Sequence, residues 1–318
     1  MDRPGHGRRR RLLPRIPRLA EREPSGGQGR GSGNPGQLEK PMINDNQTVL
    51  KQFADLAQVP DEEIDVARAA FLIAATEFPD LDVDGQVRLL DSLTAGASRR
   101  LRDGQDNLFC LNTLAEYLFD EVGFSGNQED YYDPDNSYLN QVLSRRLGIP
   151  ITLSLICSEV GKRIGIPLVG IGMPGHFLLR HQNEGDLFLD PFHRGILLSV
   201  NECAQRLNEV ARGEIAWDPV FLTPVENRDF VARILRNLKG IYLNGADHVR
   251  AIRIMDLLVA FLPAEARERR DRGLLHFELE HWEEAKEDLR HYLDSGSPNQ
   301  DTAAVNWMLG RIDANQPH

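Results

Sequence analysis

The chain has 318 residues, 37 Lys and Arg against 48 Asp and Glu, and a formal net charge of -11. That length holds two or three domains around a sizeable core, and no run of about 18 apolar residues exists that could cross a membrane as a helix. The three cysteines, Cys110, Cys157 and Cys203, stand far apart without a CxxC; this excludes a disulfide scaffold or a Cys-rich zinc module and fits a reducing cytoplasm.

Residues 1–41 carry a net charge of +6, which leaves -17 for the rest. An acidic body repels phosphate, so no direct nucleic-acid binding is expected. The head also holds 8 of the 27 glycines and 6 of the 18 prolines. Its stretch PSGGQGRGSGNPGQ buries too little apolar surface to offset ordering entropy, which predicts a disordered basic extension. It reads as a transit peptide, a basic arm, or a segment ahead of a natural start at Met42. Prolines and arginines interrupt LLPRIPRL after Arg8–Arg11, so no secretory signal is expected.

From 42 to 124 the apolar spacing is helical: Phe53, Leu56 and Ala57, then Ile64, Ala67 and Phe71, then Val87, Leu90 and Leu93, then Leu108 to Leu118, ending at Gly123. Pro60 with Asp61, Glu62 and Glu63 reads as a helix start. A loop and a short helix follow, then a break at Gly148-Ile149-Pro150 and a buried helix to about Ile164. Short β-type runs come next, at 168–173, 176–180, 187–190 and 196–200, divided by turn residues. Consecutive short strands predict an antiparallel sheet packed on that helix. From about Pro219 the chain is helical again and repeats: Gly240 and Gly273, Ala251 and Ala285, and Pro263 and Pro298 recur at tetratricopeptide-like spacing. Small Gly and Ala positions let paired helices approach closely. Two such units need a neighbour to dock on.

Several motifs carry chemistry on paper. DLDVDGQVRLLD (80–91) approaches an EF-hand loop, but its last position is Asp91 and Leu81 and Val83 interrupt the ligands; the alternative is an acidic turn capping a helix. Gly170-x-Gly172-x-x-Gly175 spells a dinucleotide motif, yet a strand and not a helix follows. His176 heads one strand and Asp190 ends another, so they form either a general base with its orienting carboxylate or a buried hydrogen-bonded pair. Cys157 lies more than a turn inside its helix among apolar neighbours and reads as a packing cysteine. Arg145 and Arg146 either bind an anion or pair with Asp133 and Asp135. His181, His193, His276 and His281 show no metal-ligand spacing, and 276 and 281 are not the i, i+4 pair that shares a helix face. No metal or other cofactor is expected.

Together, NSYLNQVLSRRLGIPITLSLICSEVGKRIGIPLVGIGMPGHFLLR and the LDPFHRG after it resemble the SirB-type transglutaminase-like proteins, and the likeness covers residues 42–318. It implies an α+β protein: a helical N-terminal region (42–124), a papain/transglutaminase-like core with a small antiparallel sheet (125–212), and all-α tetratricopeptide-like repeats (213–318). In active relatives of this fold the catalytic Cys heads the core helix, about four helical turns before a GIP-like element. Counting back from Gly165-Ile166-Pro167 lands on Pro150, so that position has no thiol. His176 and Asp190 match the family's His and Asp. Thr152 and Ser154 are hydroxyl substitutes close by, though far weaker nucleophiles at neutral pH. The resemblance thus implies a non-catalytic, cytoplasmic module that binds a protein or peptide through cleft and tail, with at most an indirect part in gene expression. The alternative it leaves is a hydrolase or acyl transferase using His176, Asp190 and either water or Thr152.

Overall fold

The computed structural model describes residues 45–102, 104–183, 185–296 and 301–315. The basic extension at 1–41 lies outside them. Helix α1 (Asn46–Leu56) is capped by Asp45, whose carboxylate accepts the Thr48 N–H at 2.6 Å. Helix α2 (Val66–Ala75) starts at Asp65 and buries every residue but Arg68. The helix expected at Pro60 is displaced. Asp61–Glu63 form only a single 3-10 turn, because the Asp61 carboxylate serves a distant helix. It accepts the backbone N–H groups of Asn227 (2.9 Å) and Arg228 (2.7 Å). These are orphan donors of the first turn of α8 (Asn227–Asn244), which has no side-chain cap of its own.

Helix α3 (Val83–Ser98) begins inside the near-EF-hand stretch. Asp82 caps it by accepting the Gly85 N–H at 2.8 Å, and Asp84 pairs with Arg68 at 2.6 Å. The twelve-residue loop that calcium requires is therefore helix over most of its length, and the capping alternative is the correct one. Helix α4 (Asn107–Ala115) runs into a π-helical turn, Glu116–Val122, which Gly123 ends at φ 90°.

Strand β1 (Ser125–Gly126) pairs in parallel with β2 (Leu147–Gly148), enclosing α5 (Leu139–Arg145). Helix α6 (Pro150–Arg163) follows directly, with Pro at its first position. Four strands then form an antiparallel meander: β3 (Leu168–Ile171), β4 (Leu178–His181), β5 (Leu187–Asp190) and β6 (Ile196–Ser199). Side chains alternate across it. Phe177, Leu179 and Leu189 face the large core that includes Ile156 and Val160 of α6. Leu178, Phe188 and Leu198 face a second core with Cys203 and Leu207 of α7 (Val200–Val210). The sheet is thus sandwiched between α6 and α7, which explains its apolar sequence on both faces. After Gly170 and Gly172 the chain enters a turn and β4, so the dinucleotide motif has no helix to open.

The tail comprises α8, α9 (His248–Phe261), α10 (Ala266–Glu278), α11 (Trp282–Asp294) and α12 (Thr302–Asn315). Helices α8 and α9 share the main core with α1 and α2: Phe230, Leu235, Ile254 and Leu258 are buried in one cluster with Phe53 and Phe71. At the α10–α11 crossing, a Cβ on Gly273 would lie 3.0 Å from both Asp288 and Leu289, so only glycine lets the helices approach this closely. Gly240 has open space around it, in keeping with the weaker match of the first repeat unit.

Asp61→Ala is expected to destabilise the protein by about 1–2 kcal/mol, since two first-turn donors of α8 lose their acceptor. Urea unfolding of wild type and variant measures it. A midpoint unchanged within error would show that solvent caps α8 equally well.

Candidate functional site

Each sequence block around the site has a local task. Asn136 is fully buried; its side chain accepts from Asn127 (3.1 Å) and donates to the Asp130 carbonyl (2.7 Å). Tyr138 caps α5, and its hydroxyl meets that of Tyr242 on α8 at 2.6 Å. Arg145 pairs with Asp133 (2.6 Å) and Asp135 (3.4 Å), so the default reading of that arginine holds. Met173-Pro174-Gly175-His176 makes a turn closed by His176 N–H to the Met173 carbonyl at 3.0 Å. Gly175 takes φ 69°, the left-handed value a type II turn needs at its third position. Arg233 of α8 braces this turn, donating to the carbonyls of Met173 and His176, each at 2.7 Å.

Asp190 is the centre of the site. It ends β5, and its carboxylate is fully buried. Oδ2 accepts from His176 Nε2 at 2.9 Å and from His193 Nδ1 at 2.8 Å, while Oδ1 accepts the His193 backbone N–H at 3.2 Å. Arg206 of α7 stands behind, with Nε 3.8 Å from Oδ2 and Nη1 3.5 Å from His193 Nε2. Burial alone would raise the Asp190 carboxyl. The hydrogen bonds from His176 and His193 outweigh it and hold the group well below the usual carboxylate range. An ionised Asp190 fixes the tautomers: both imidazoles place a proton towards it. In an uncharged His176 the lone pair then sits on Nδ1, the atom a general base would use.

Among the described residues, the thiols and hydroxyls singled out in the sequence are buried. Pro150 stands at the head of α6. Cys157 is 0% exposed, and burial pushes its thiol up. Cys203 is pushed up to about 12, first by burial and then by the nearby Asp190 charge. Thr152 is also 0% exposed; its hydroxyl donates to the Asn136 carbonyl at 2.7 Å and accepts the Ile149 N–H at 3.1 Å. It is a structural cap with no proton free for transfer. Ser154 is buried with its hydroxyl 3.5 Å from the Phe177 carbonyl. His176 itself is 4% exposed, sealed rather than open. A cavity of about 700 Å³ lies elsewhere, lined by Thr76, Glu77, Arg250 and Arg253, and shares no residue with this cluster.

His193 and Arg206 belong to the cluster around Asp190, and sequence reasoning did not place them there. The signal for His193 was the i, i+3 spacing from Asp190 across a 3-10 turn, Pro191–His193. Gly126 seats that turn, since a Cβ there would lie 2.5 Å from the Phe192 ring. The ligand atoms of His176, Asp190 and His193 lie within 4.8 Å of one another, a spacing a metal could use. The surroundings work against one. A cation on His193 Nδ1 would leave the ring proton on Nε2, facing the Arg206 guanidinium donor against donor.

Asp190→Asn is expected to destabilise the protein by about 2–4 kcal/mol at neutral pH, because an amide cannot accept from donors on both sides. A carboxyl held below its unfolded pKa stabilises fully above that value, about 3.9, and the contribution is lost as pH falls through the folded pKa. The gap between wild type and variant in urea unfolding should therefore narrow below about pH 4. A gap that widens there would contradict an ionised Asp190.

Comparison with known proteins agrees with this architecture. Residues 86–236 match the transglutaminase-like superfamily model, and residues 238–310 match a tetratricopeptide repeat model. A UPF0162 protein of Xylella fastidiosa is 41% identical over 255 residues, spanning 78% of this chain and 89% of the relative. One from Vibrio cholerae is 33% identical over 191 residues, spanning 59% of this chain and 70% of the relative. Human F-box only protein 21 is 35% identical over 118 residues, 34% of this chain and 19% of that protein. No solved structure matches. With a transglutaminase-like core followed by tetratricopeptide repeats, and with relatives of this closeness, the chain belongs to the SirB-type UPF0162 family.

Proposed function

We propose that the protein is a non-catalytic transglutaminase-like module that binds a protein or peptide in the cytoplasm. The observation that carries this reading is that, among the described residues, the thiols and hydroxyls near the His176–Asp190 pair (Cys157, Cys203, Thr152 and Ser154) are all buried. Pro150 holds the head of α6, the Thr152 hydroxyl is consumed by backbone groups, and Cys157 is sealed. Covalent acyl transfer needs a thiolate or an activated hydroxyl within hydrogen-bond reach of the base. The sealing of His176 shifts weight from the cleft to the tail as the binding element. Tetratricopeptide arrays are protein-binding scaffolds, and the tail exposes Trp307 at 60% beside Phe277, ring centroids 6.3 Å apart. Any effect on gene expression would run through such a partner.

A second reading keeps one observation of its own. With Nε2 bound to Asp190, His176 offers Nδ1 as a base, so water activation by a hydrolase remains chemically coherent once the site opens.

Affinity capture separates the two. Intact protein, His176→Ala and Trp307→Glu are used as baits, with mass spectrometry of captured proteins and of the bait. Binding lost in Trp307→Glu and kept in His176→Ala, with no covalent adduct on any bait, is the expected pattern. Binding unaffected by Trp307→Glu, or an acyl adduct that vanishes in His176→Ala, would overturn it.

A further inference from the structure

A second histidine pair lies in the tail, away from Asp190. His276 is in the last turn of α10, and His281 immediately precedes α11. On one continuous helix, residues five apart point about 140° away from each other. Here the helix stops. Glu280 takes φ 61°, and the His281 N–H bonds to the His276 carbonyl at 2.9 Å. The chain reverses and brings the two imidazoles face to face, with Nδ1 atoms 3.2 Å apart. The sequence-based dismissal of this pair assumed a continuous helix, and the turn removes that assumption.

Two histidine nitrogens on one tetrahedral zinc ion, each at about 2.0–2.1 Å, stand about 3.3 Å apart. The observed separation is therefore already close to that of a chelate. His276 is buried and His281 exposed, so one ligand is fixed by packing while the other opens on solvent. Burial and then the Arg272 charge lower the His276 imidazole, with Asp288 and Glu284 of α11 acting the other way. The Arg272 charge on the same side is matched by Asp288 (2.7 Å) and Asp256 (2.7 Å). Unlike His193, neither ring has an arginine hydrogen-bonded to it.

We propose that His276 and His281 form a binding site for a divalent late transition ion (zinc, nickel or copper), held through both Nδ1 atoms with water completing its shell on the His281 side. Imidazole suits these ions, and their order of affinity puts copper first. In the free protein the pair shares one proton in an N–H···N hydrogen bond. The cation takes the place of that proton, which moves to Nε2 of the same ring, so no net proton release is required of uncharged rings. The exposed His281 ring moves so that both lone pairs converge on the ion. The bound ion would tie the end of α10 to the start of α11, clamping the repeat that Gly273 closes. This site is independent of the binding role proposed for the tail.

The test uses tag-free full-length protein, titrated with zinc by calorimetry and with copper by electron paramagnetic resonance. The expected result is one site, nitrogen hyperfine structure from two imidazoles, and a melting temperature that rises with zinc. His281→Gln, an exposed substitution, should fold normally and weaken zinc binding by about tenfold or more. No zinc binding up to millimolar concentration would overturn the proposal. So would binding retained in His281→Gln, which would place the ion away from this pair.

Discussion

The structure turns on a single buried charge. The Asp190 carboxylate has no solvent exposure, yet it is held ionised. A lone carboxylate in such a place would be prohibitively costly, so the surrounding elements must supply donors. Three hydrogen bonds come from two turns, His176 at the turn before β4 and the ring and backbone of His193 in the 3-10 turn after β5, and the Arg206 guanidinium of α7 adds its charge from 3.8 Å. Each demands its own scaffolding. The type II turn with Gly175 aims His176. Gly126 leaves room for Phe192, which lets the 191–193 turn close on the carboxylate. The three-layer arrangement of α6, sheet and α7 follows from bringing these donors together.

A second constraint joins the N-terminal helices and the core to the first tail helix. Helix α8 lacks a local cap and takes one from Asp61. The same helix holds the His176 turn through Arg233 and meets Tyr138 through Tyr242. Burial lowers the Arg233 guanidinium, and no carboxylate offsets it; two carbonyls receive its protons instead. The first tail helix is therefore built into the core. Beyond it, α10 to α12 form a more local stack with their own small cluster of Leu289, Tyr292 and Val305, as nearest-neighbour repeat packing leads one to expect.

Much of this was legible in the sequence, and the failures have physical causes. The four strands fall where the apolar runs place them, because a sheet buried on both faces leaves a continuous apolar signature. Helix α6 and the break at Gly148-Ile149-Pro150 were visible for the same reason. The Pro60–Glu63 helix start was wrong because Asp61 bonds to residues 166 and 167 positions away, which no local window contains. His193 and the His276–His281 pair were missed because each depends on a turn: a 3-10 turn in one case, a left-handed Glu280 in the other. Spacing rules written for regular helices do not see such turns.

The same electrostatics decide how much the His–Asp pair says about chemistry. A His–Asp pair invites an enzymatic reading. Yet the pair is also strongly constrained by stability alone. Removing either imidazole takes a donor from a buried carboxylate, and removing the carboxylate strands two donors against an arginine. A buried polar cluster of this design cannot shed its residues one at a time without a large loss in stability. Pro150 carries no such linkage, because a proline at the first position of a helix satisfies itself. Folding alone calls for His176 and Asp190 together, so their presence is not by itself a sign of catalysis.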